Sequence, residues 1–200
     1  MNKIITVGRQ FGSGGRELGR RLAEELGYQY YDKEIITEIA NRTSMAEGYV
    51  QQIIEHTPKN LFPITIGHSL AFADNYYLKQ VQSVYRAQSD IITALASKSD
   101  CVIIGRCADY ILRDTNPFRL FVYATMDSRI RRCMERAGEK ESYTEKDIKH
   151  KINEIDKNRA KYYEFYTGRT WGNVENYDLC INTSDKSIKE LVPCIAKFIV

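Results

Sequence analysis

The stretch IITVGRQFGSGGREL, residues 4–18, decides the fold expected for this chain. Its first four residues predict a buried strand, glycines follow within a few positions, and the last residues are typical of a helix start. A glycine-rich turn between a strand and a helix presents several backbone N–H groups to one anion, and its glycines permit positive φ and close approach. The stretch therefore predicts phosphate binding by Gly12, Ser13, Gly14, Gly15, Arg16 and Glu17.

The loop departs from both common glycine-rich nucleotide-binding motifs. Aligned on Gly12-Ser13-Gly14, the pattern G-x-x-x-x-G-K-[ST] finds Gly15 at the lysine position and Arg16 at the hydroxyl position. The dinucleotide pattern G-x-G-x-x-G fails because its last position holds Glu17. Strict motif matching therefore leaves the ligand of the loop undecided.

Arg16 is the nearest permanent cation to the missing lysine. It falls in the first turn of the predicted helix, where a cation is unfavourable by about 0.3–1 kcal/mol because it faces the positive end of the helix dipole. A bound phosphate would make the same arrangement favourable, so we expect Arg16 to supply the lost charge. The alternative is a tight strand–helix turn in which Arg16 is solvated and Glu17 compensates its charge.

Short apolar segments alternate with helical patterns along the chain. The repeat Leu18, Leu22, Leu26 predicts a helix that ends at Gly27. The apolar segments do not alternate cleanly with polar residues, which favours strands covered on both faces. We therefore predict an α/β fold with a five-stranded parallel sheet flanked by helices. The predicted strands are residues 4–7, 28–32, 101–105, 119–124 and 177–183.

Two helical segments exceed what a crossover connection needs. The first, residues 34–98, contains helical patterns at 35–40 and 81–96 around a loop marked by Pro58 and Pro63, and we predict an inserted helical subdomain there. The second runs from Arg129 to Arg159 and is interrupted by AGEKESYT. Within that interruption, Thr144 and Asp147 resemble a capping box and indicate a new helix start.

Charged residues follow two further predicted strands. Ligands of open parallel sheets bind outside the carboxyl ends of the strands. Arg106 and Asp109, after the third predicted strand, and Asp32, after the second, are therefore expected on the same rim as the glycine loop. Arg106 can hold a phosphate bidentately. The alternative is a structural ion pair of Arg106 with Asp109 or Asp32.

Composition excludes several classes of function. The net charge of +3 is too small to predict nucleic-acid binding, and no stretch approaches the roughly 18 apolar residues of a membrane span. The chain starts on a strand without a signal-peptide pattern, so we expect a cytoplasmic protein. The five cysteines form no C-x-x-C pair, and the three histidines show no ligand spacing with them, which favours reduced thiols over a zinc site.

Four stretches together resemble the cytidylate-kinase-like nucleoside monophosphate kinases. FGSGGREL follows the first strand, and YYDKEII ends the second. VIIGRCADYILRDTNPFRLFVYA is similar to the family's strand, Gly-Arg-Asp and following strand, with Cys107 in place of the aspartate. In DKNRAKYYEFYTGRTWGNVENYDLCINTS, Asp156-x-x-Arg159 resembles the motif at the end of the lid. The stretches span nearly the whole chain, and their combination is more specific than any one of them.

The resemblance implies a single P-loop kinase domain over residues 1–200, with a core (1–33, 99–132 and 161–200), an acceptor-binding helical insert (about 34–98) and a lid (about 133–160). ATP phosphates would lie on residues 12–17, with Mg²⁺ held through Ser13 or water. The resemblance implies catalytic roles for Arg132 and Arg159, acceptor contacts for Asp32, Arg106 and Asp109, and a contact of Arg129 with adenine. The charge argument above adds Arg16 to the expected catalytic residues.

Three functions remain open at this stage. The first is ATP-dependent phosphoryl transfer to a nucleoside monophosphate or a similar small phosphorylated acceptor, which asks the protein mainly for positioning and positive charge. The second is a non-catalytic nucleotide-binding or sensing module with a degenerate loop. The third is an interaction protein that uses Tyr162, Tyr163, Tyr166 and Trp171 as a contact surface. We expect small nucleotides as partners and neither nucleic acid nor a membrane, and a homodimer stays open.

Overall fold

A five-stranded parallel sheet forms the centre of the structure, a computed structural model that describes residues 2–55, 71–137 and 143–199. Its strand order is β2-β3-β1-β4-β5. Each neighbouring pair is parallel, which confirms the predicted sheet. The strands are β1 (Ile4–Arg9), β2 (Gln29–Tyr31), β3 (Cys101–Ile104), β4 (Phe118–Tyr123) and β5 (Leu179–Asn182).

Helices cover both faces of the sheet. Within the described residues they are α1 (Gly15–Leu26), α2 (Glu34–Thr43), α3 (Glu47–Glu55), α4 (Ala71–Lys98), α5 (Ala108–Ile111), α6 (Met126–Arg136), α7 (Glu145–Thr167) and α8 (Ile188–Ile199). Short 3₁₀ helices lie at Arg113–Thr115 and Val174–Asn176. Among the described residues, no helix is long and apolar enough to cross a membrane.

Alternating strand side chains supply two cores. Ile5 and Val7 of β1 pack with Leu18 and Leu22 of α1 and with Val192 of α8 on one face. On the other face, buried residues of α2, α3 and α4 pack against Cys101 and Ile103. Helices therefore cover both faces of the central strands, which explains why apolar and polar residues do not alternate cleanly along the strand sequences.

The helix signals of the sequence hold locally. Gly27 takes φ 69° and ends α1. At the start of α7, the side chain of Thr144 accepts a hydrogen bond from the Asp147 N–H, and the side chain of Asp147 accepts one from the Thr144 N–H. The capping box that starts α7 is thus confirmed. The helix continues to Thr167, past the predicted lid boundary at 160, because its aromatic residues pack inward. Pro58 and Pro63 lie outside the described residues.

The aromatic residues after Arg159 belong to the core. Tyr162 and Tyr163 are buried, and Tyr166 and Trp171 pack partly buried against the same cluster. The Tyr166 ring stacks on Tyr85 of α4 with 3.9 Å between ring centroids. Packing therefore accounts for these rings without an interaction surface.

Candidate functional site

The glycine loop lies where β1 leaves the middle of the sheet. Gly12 and Gly14 take φ 76° and 80°, conformations that residues with a side chain rarely adopt. Gly14 is the N-cap of α1 and offers no side-chain hydrogen bond to the first turn. Backbone N–H groups at the start of α1 are thus available to an anion at the positive end of the helix dipole.

Two helices hold the loop through one residue, Phe11. The backbone N–H of Phe11 donates to Asp156 Oδ1 of α7 at 2.8 Å. Its carbonyl accepts from Arg129 Nε of α6 at 2.6 Å, and Arg129 pairs with Asp156. Arg129 is only 5% exposed, so its side chain positions the loop, and its contact with adenine stays a prediction. Burial raises the pKa of Asp156 against the opposing effects of this hydrogen bond and its arginine partners.

Ser13 turns its polar groups into the protein. Its hydroxyl donates to the Gln10 carbonyl at 2.8 Å, and its carbonyl accepts from Thr183 Oγ1 at 2.6 Å and from Arg132 Nη1 at 3.2 Å. Burial is the main reason that the pKa of Arg132 is lowered, and nearby Arg131 and Arg136 add to it. The carbonyls of Gln10, Phe11 and Ser13 are therefore bonded inside the protein, while the first-turn amides of α1 have no intrahelical acceptor.

A cavity of about 270 Å³ opens above the loop. Its described lining carries six basic residues and no carboxylate, together with a flat apolar part formed by Phe11, Ile148 and Tyr143. Cationic and flat apolar surfaces in one cavity fit a ligand with several phosphates and an aromatic ring. The basic residues are Arg9, Arg16, Arg132, Arg136, Lys151 and Arg159.

The two charged residues at the start of α1 already have protein partners. Arg16 Nε lies 2.5 Å from Asp32 Oδ2, and Asp32 is only 3% exposed. Glu17 pairs with Arg21 at 3.0 Å and with Arg136 at 2.7 Å. Arg16 is therefore partnered by Asp32 and not by the Glu17 of the tight-turn alternative, although 54% of its side chain is exposed. Its predicted part in phosphoryl transfer stays a prediction.

The rim after β3 has an unusual backbone. Gly105, Arg106 and Cys107 take φ 67°, 61° and 54° in succession. Two of them carry side chains, and such conformations cost about 1–3 kcal/mol each and cluster at functional sites. The buried Gln88 amide donates to the Arg106 carbonyl at 3.0 Å and helps to fix this turn.

Asp109 lies beneath this rim. It is 7% exposed and accepts from the Tyr163 hydroxyl at 2.6 Å. Burial raises the pKa of Asp109, although the hydrogen bond from Tyr163 opposes that rise. Burial also raises the pKa of Tyr163, and the neighbouring carboxylate of Asp109 adds to this rise. Asp109 lies outside the cavity lining, so its part in binding an acceptor stays a prediction.

The structure brings most of the predicted site residues to one side of the sheet. The glycine loop, Arg132 and Arg159 line the cavity, and Asp32 and Arg106 lie close enough to Arg9 to affect its pKa. Sequence reasoning missed Arg9, Arg136, Tyr143 and Lys151. Arg9 carried a usable signal, because it ends the first strand and strand ends face the ligand.

The described residues do not fit a magnesium ion held directly by the protein. Mg²⁺ prefers oxygen ligands, above all carboxylates, yet the described cavity lining has no carboxylate and the Ser13 hydroxyl is turned inward. The described ranges also contain no cluster of three or more His, Cys, Asp or Glu side chains suited to a metal. A magnesium ion would enter on nucleotide phosphates with its own waters.

Comparisons with known proteins agree with this geometry. A family model for the cytidylate kinase-like family matches residues 4–185. A crystal structure of an uncharacterized protein from Eubacterium ventriosum is similar over 99% of this chain and 98% of its own, with 28% identity and a TM-score of 0.71.

Two shikimate kinases share the fold. The enzyme from Bacteroides thetaiotaomicron is 14% identical, with 98% of each chain covered and a TM-score of 0.56. The enzyme from Acinetobacter baumannii, solved with shikimate, is 17% identical over 100% of this chain and 93% of its own, with a TM-score of 0.52. No curated protein matches the chain.

Proposed function

This chain belongs to the cytidylate kinase-like family, and we propose that it transfers the γ-phosphoryl group of ATP to a nucleoside monophosphate or a similar small phosphorylated acceptor. The observation that carries the proposal is the cavity above the glycine loop, whose described lining has six cations and no carboxylate. Phosphoryl transfer needs chiefly positioning and positive charge around the transferred group, and this cavity offers both.

In this proposal the ATP phosphates lie on the amides of residues 12–17, and the base lies toward Phe11 and Tyr143. Arg132 and Arg159 face the phosphates from α6 and α7. ATP brings Mg²⁺ on its phosphates, since the described side chains do not fit direct ligation.

The acceptor would approach from the rim formed by Asp32, Arg106 and Asp109. One oxygen of its phosphate attacks the γ-phosphorus, and the bond from that phosphorus to the β,γ-bridging oxygen breaks. ADP leaves with the electron pair. The attacking oxygen already belongs to an anion, so a general base is not required.

A non-catalytic nucleotide-binding module is the second candidate. The observation in its favour is that Gly15 replaces the lysine of the loop while Arg16 pairs with Asp32. Such a module would bind ATP in the same cavity but would not transfer phosphate.

An acceptor panel separates the two candidates. The chain is incubated with Mg²⁺ and γ-labelled ATP, and labelled product is measured with CMP, UMP, AMP, GMP and, because of the fold neighbours, shikimate. Lys197→Ala, which removes an exposed lysine in the last turn of α8, outside the cavity lining and the helical insert, serves as the charge control. We expect labelled nucleoside diphosphate with at least one monophosphate. ATP binding without transfer to any acceptor would favour the binding module.

A further inference from the structure

Arg9, the last residue of β1, fills the space around Gly15. A Cβ placed on Gly15 would lie 2.5 Å from Arg9 Cβ and 3.2 Å from its Cγ. Real Cβ atoms essentially never come that close, so the stem of Arg9 excludes any side chain at the position where the common motif has lysine. In this backbone, a side chain at residue 9 and a lysine at residue 15 are therefore incompatible.

The guanidinium of Arg9 reaches the rim after β3. A Cβ on Gly105 would fall on Arg9 Nη1. Gly105 takes φ 67°, so both its conformation and its lack of a side chain accommodate the guanidinium. The side chain thus extends from the glycine loop to the turn that carries Arg106, and it lines the cavity.

The surroundings of Arg9 are cationic. Arg159, Arg106 and Arg16 all lie near enough to lower its pKa, in addition to burial, while Asp32 opposes them. Asp32 is paired with Arg16. Among the described residues, Arg9 has no carboxylate within ion-pair distance and donates no side-chain hydrogen bond, although its own carbonyl accepts from Arg159 Nη1 at 3.3 Å.

A half-buried guanidinium among other arginines is unfavourable unless an anion joins them. We propose that Arg9 is the phosphate-binding cation of this loop, contributed by the preceding strand in place of the lysine on the helix, and that it contacts the β- and γ-phosphates of a nucleoside triphosphate. The inference rests on the proposed function for the identity of the ligand. In this proposal Arg16 keeps its ion pair with Asp32, on the side of the cavity where the acceptor would bind.

The geometry permits an exchange test. Arg9→Met keeps most of the stem but removes the charge. Gly15→Lys alone places a lysine where the Arg9 stem already lies, whereas Arg9→Gly with Gly15→Lys removes the Arg9 Cβ and supplies the lysine of the common motif. Lys197→Ala is again the control. For each variant the thermal midpoint, the ATP dissociation constant by calorimetry and the single-turnover transfer rate are measured.

We expect Arg9→Met to weaken ATP binding on the order of tenfold and transfer on the order of a hundredfold, since a lost charge-assisted phosphate contact has effects of this size. Its thermal midpoint without nucleotide should not fall, because mutual repulsion is relieved. Gly15→Lys should lose both binding and stability. The double variant should bind ATP on the order of tenfold more tightly than Arg9→Gly alone.

The inference is overturned if Arg9→Met binds and transfers like the parent, or if the double variant binds no better than Arg9→Gly. If Arg9→Met does not fold, the neutral variant Arg9→Gln decides: a loss of ATP affinity supports the inference, and unchanged affinity contradicts it. A parent that binds ATP without transferring phosphate defeats the proposed catalysis, while the Arg9 dependence of binding still decides the inference. A parent that binds neither ATP nor tripolyphosphate overturns both.

Discussion

At the scale of single residues, the arginines of the site differ in whether a carboxylate lies within ion-pair distance of them. Arg129 is held by Asp156, Arg136 by Glu17 and Arg16 by Asp32. Arg9 instead faces other arginines. The sequence predicted the loop because glycine spacing is a local signal. It could not reveal the contact between Arg9 and Gly15, which depends on the direction of one side chain at the end of a strand.

Arg16→Ala should lower the thermal midpoint by about 2–6 °C. The helix dipole alone suggests a small gain, but Asp32 is 3% exposed and would lose its partner at 2.5 Å. The estimate is modest because the Arg16 side chain is 54% exposed. Arg16→Lys should retain most of the stability, and adding Asp32→Asn to Arg16→Ala should restore the midpoint. Equal midpoints for Arg16→Ala and the parent in a calorimetric scan would contradict this account.

Asp109→Asn should stabilise the protein near neutral pH. Because burial raises the pKa of Asp109, the ionised form is less favourable in the folded protein than in the unfolded chain. The stability contributed by this carboxyl therefore falls as pH rises above its ordinary value of 3.8. Asparagine stays neutral and can still accept the hydrogen bond of Tyr163.

Thermal midpoints of Asp109→Asn and the parent, measured across pH, test whether ionisation of Asp109 lowers stability. The advantage of Asp109→Asn should be largest near neutral pH and shrink as pH falls toward 3.8. Asp114→Asn, at a side chain that is 85% exposed, is the control and should show no such trend. A variant that is less stable than the parent at neutral pH would show that the Asp109 charge stabilises the fold.

At the scale of elements, α7 connects the cavity to the loop. Its first half contributes Ile148 and Lys151 to the cavity lining, and its middle contributes Asp156, which holds Phe11. Sequence patterns predicted its start because a capping box is contiguous in the chain. They misplaced its end, since the aromatic turn that extends the helix is stabilised by packing against α4 rather than by a local signal.

Asp156→Asn should loosen the glycine loop. The change removes the negative partner of the buried Arg129 and weakens the acceptor of the Phe11 N–H. We expect faster hydrogen exchange at the Phe11 amide and ATP binding weakened on the order of tenfold, because an uncompensated buried charge displaces the loop. Native-state hydrogen exchange and calorimetry measure both effects.

Thr144→Ala is the matched control on the same helix. It removes the capping box and should lower the thermal midpoint by about 2–4 °C without touching the Phe11 contacts. Protection of the Phe11 amide should persist in this variant. If both variants lost that protection equally, the loop would depend on the general stability of α7 and not on Asp156.

At the scale of the whole molecule, a chain of net charge +3 gathers six basic residues around one cavity. The sheet makes this possible because the carboxyl ends of β1, β3 and β4 lie side by side: Gly105 N–H donates to the Val7 carbonyl, and Gln10 N–H donates to that of Val122, each at 3.0 Å. Strand and helix alternation was enough to predict this sheet. The partners of the individual charged residues were not predictable, because they arise from contacts between distant segments such as Arg16 with Asp32.

A crystal structure with a non-hydrolysable ATP analogue tests the central claim most directly. The account predicts β- and γ-phosphate oxygens about 3 Å from the backbone amides of Gly14 to Glu17, with the Arg9 guanidinium in contact with them and Arg16 still paired with Asp32. Phosphates bound elsewhere, or a glycine loop without an anion in a crystal that holds the nucleotide, would contradict it.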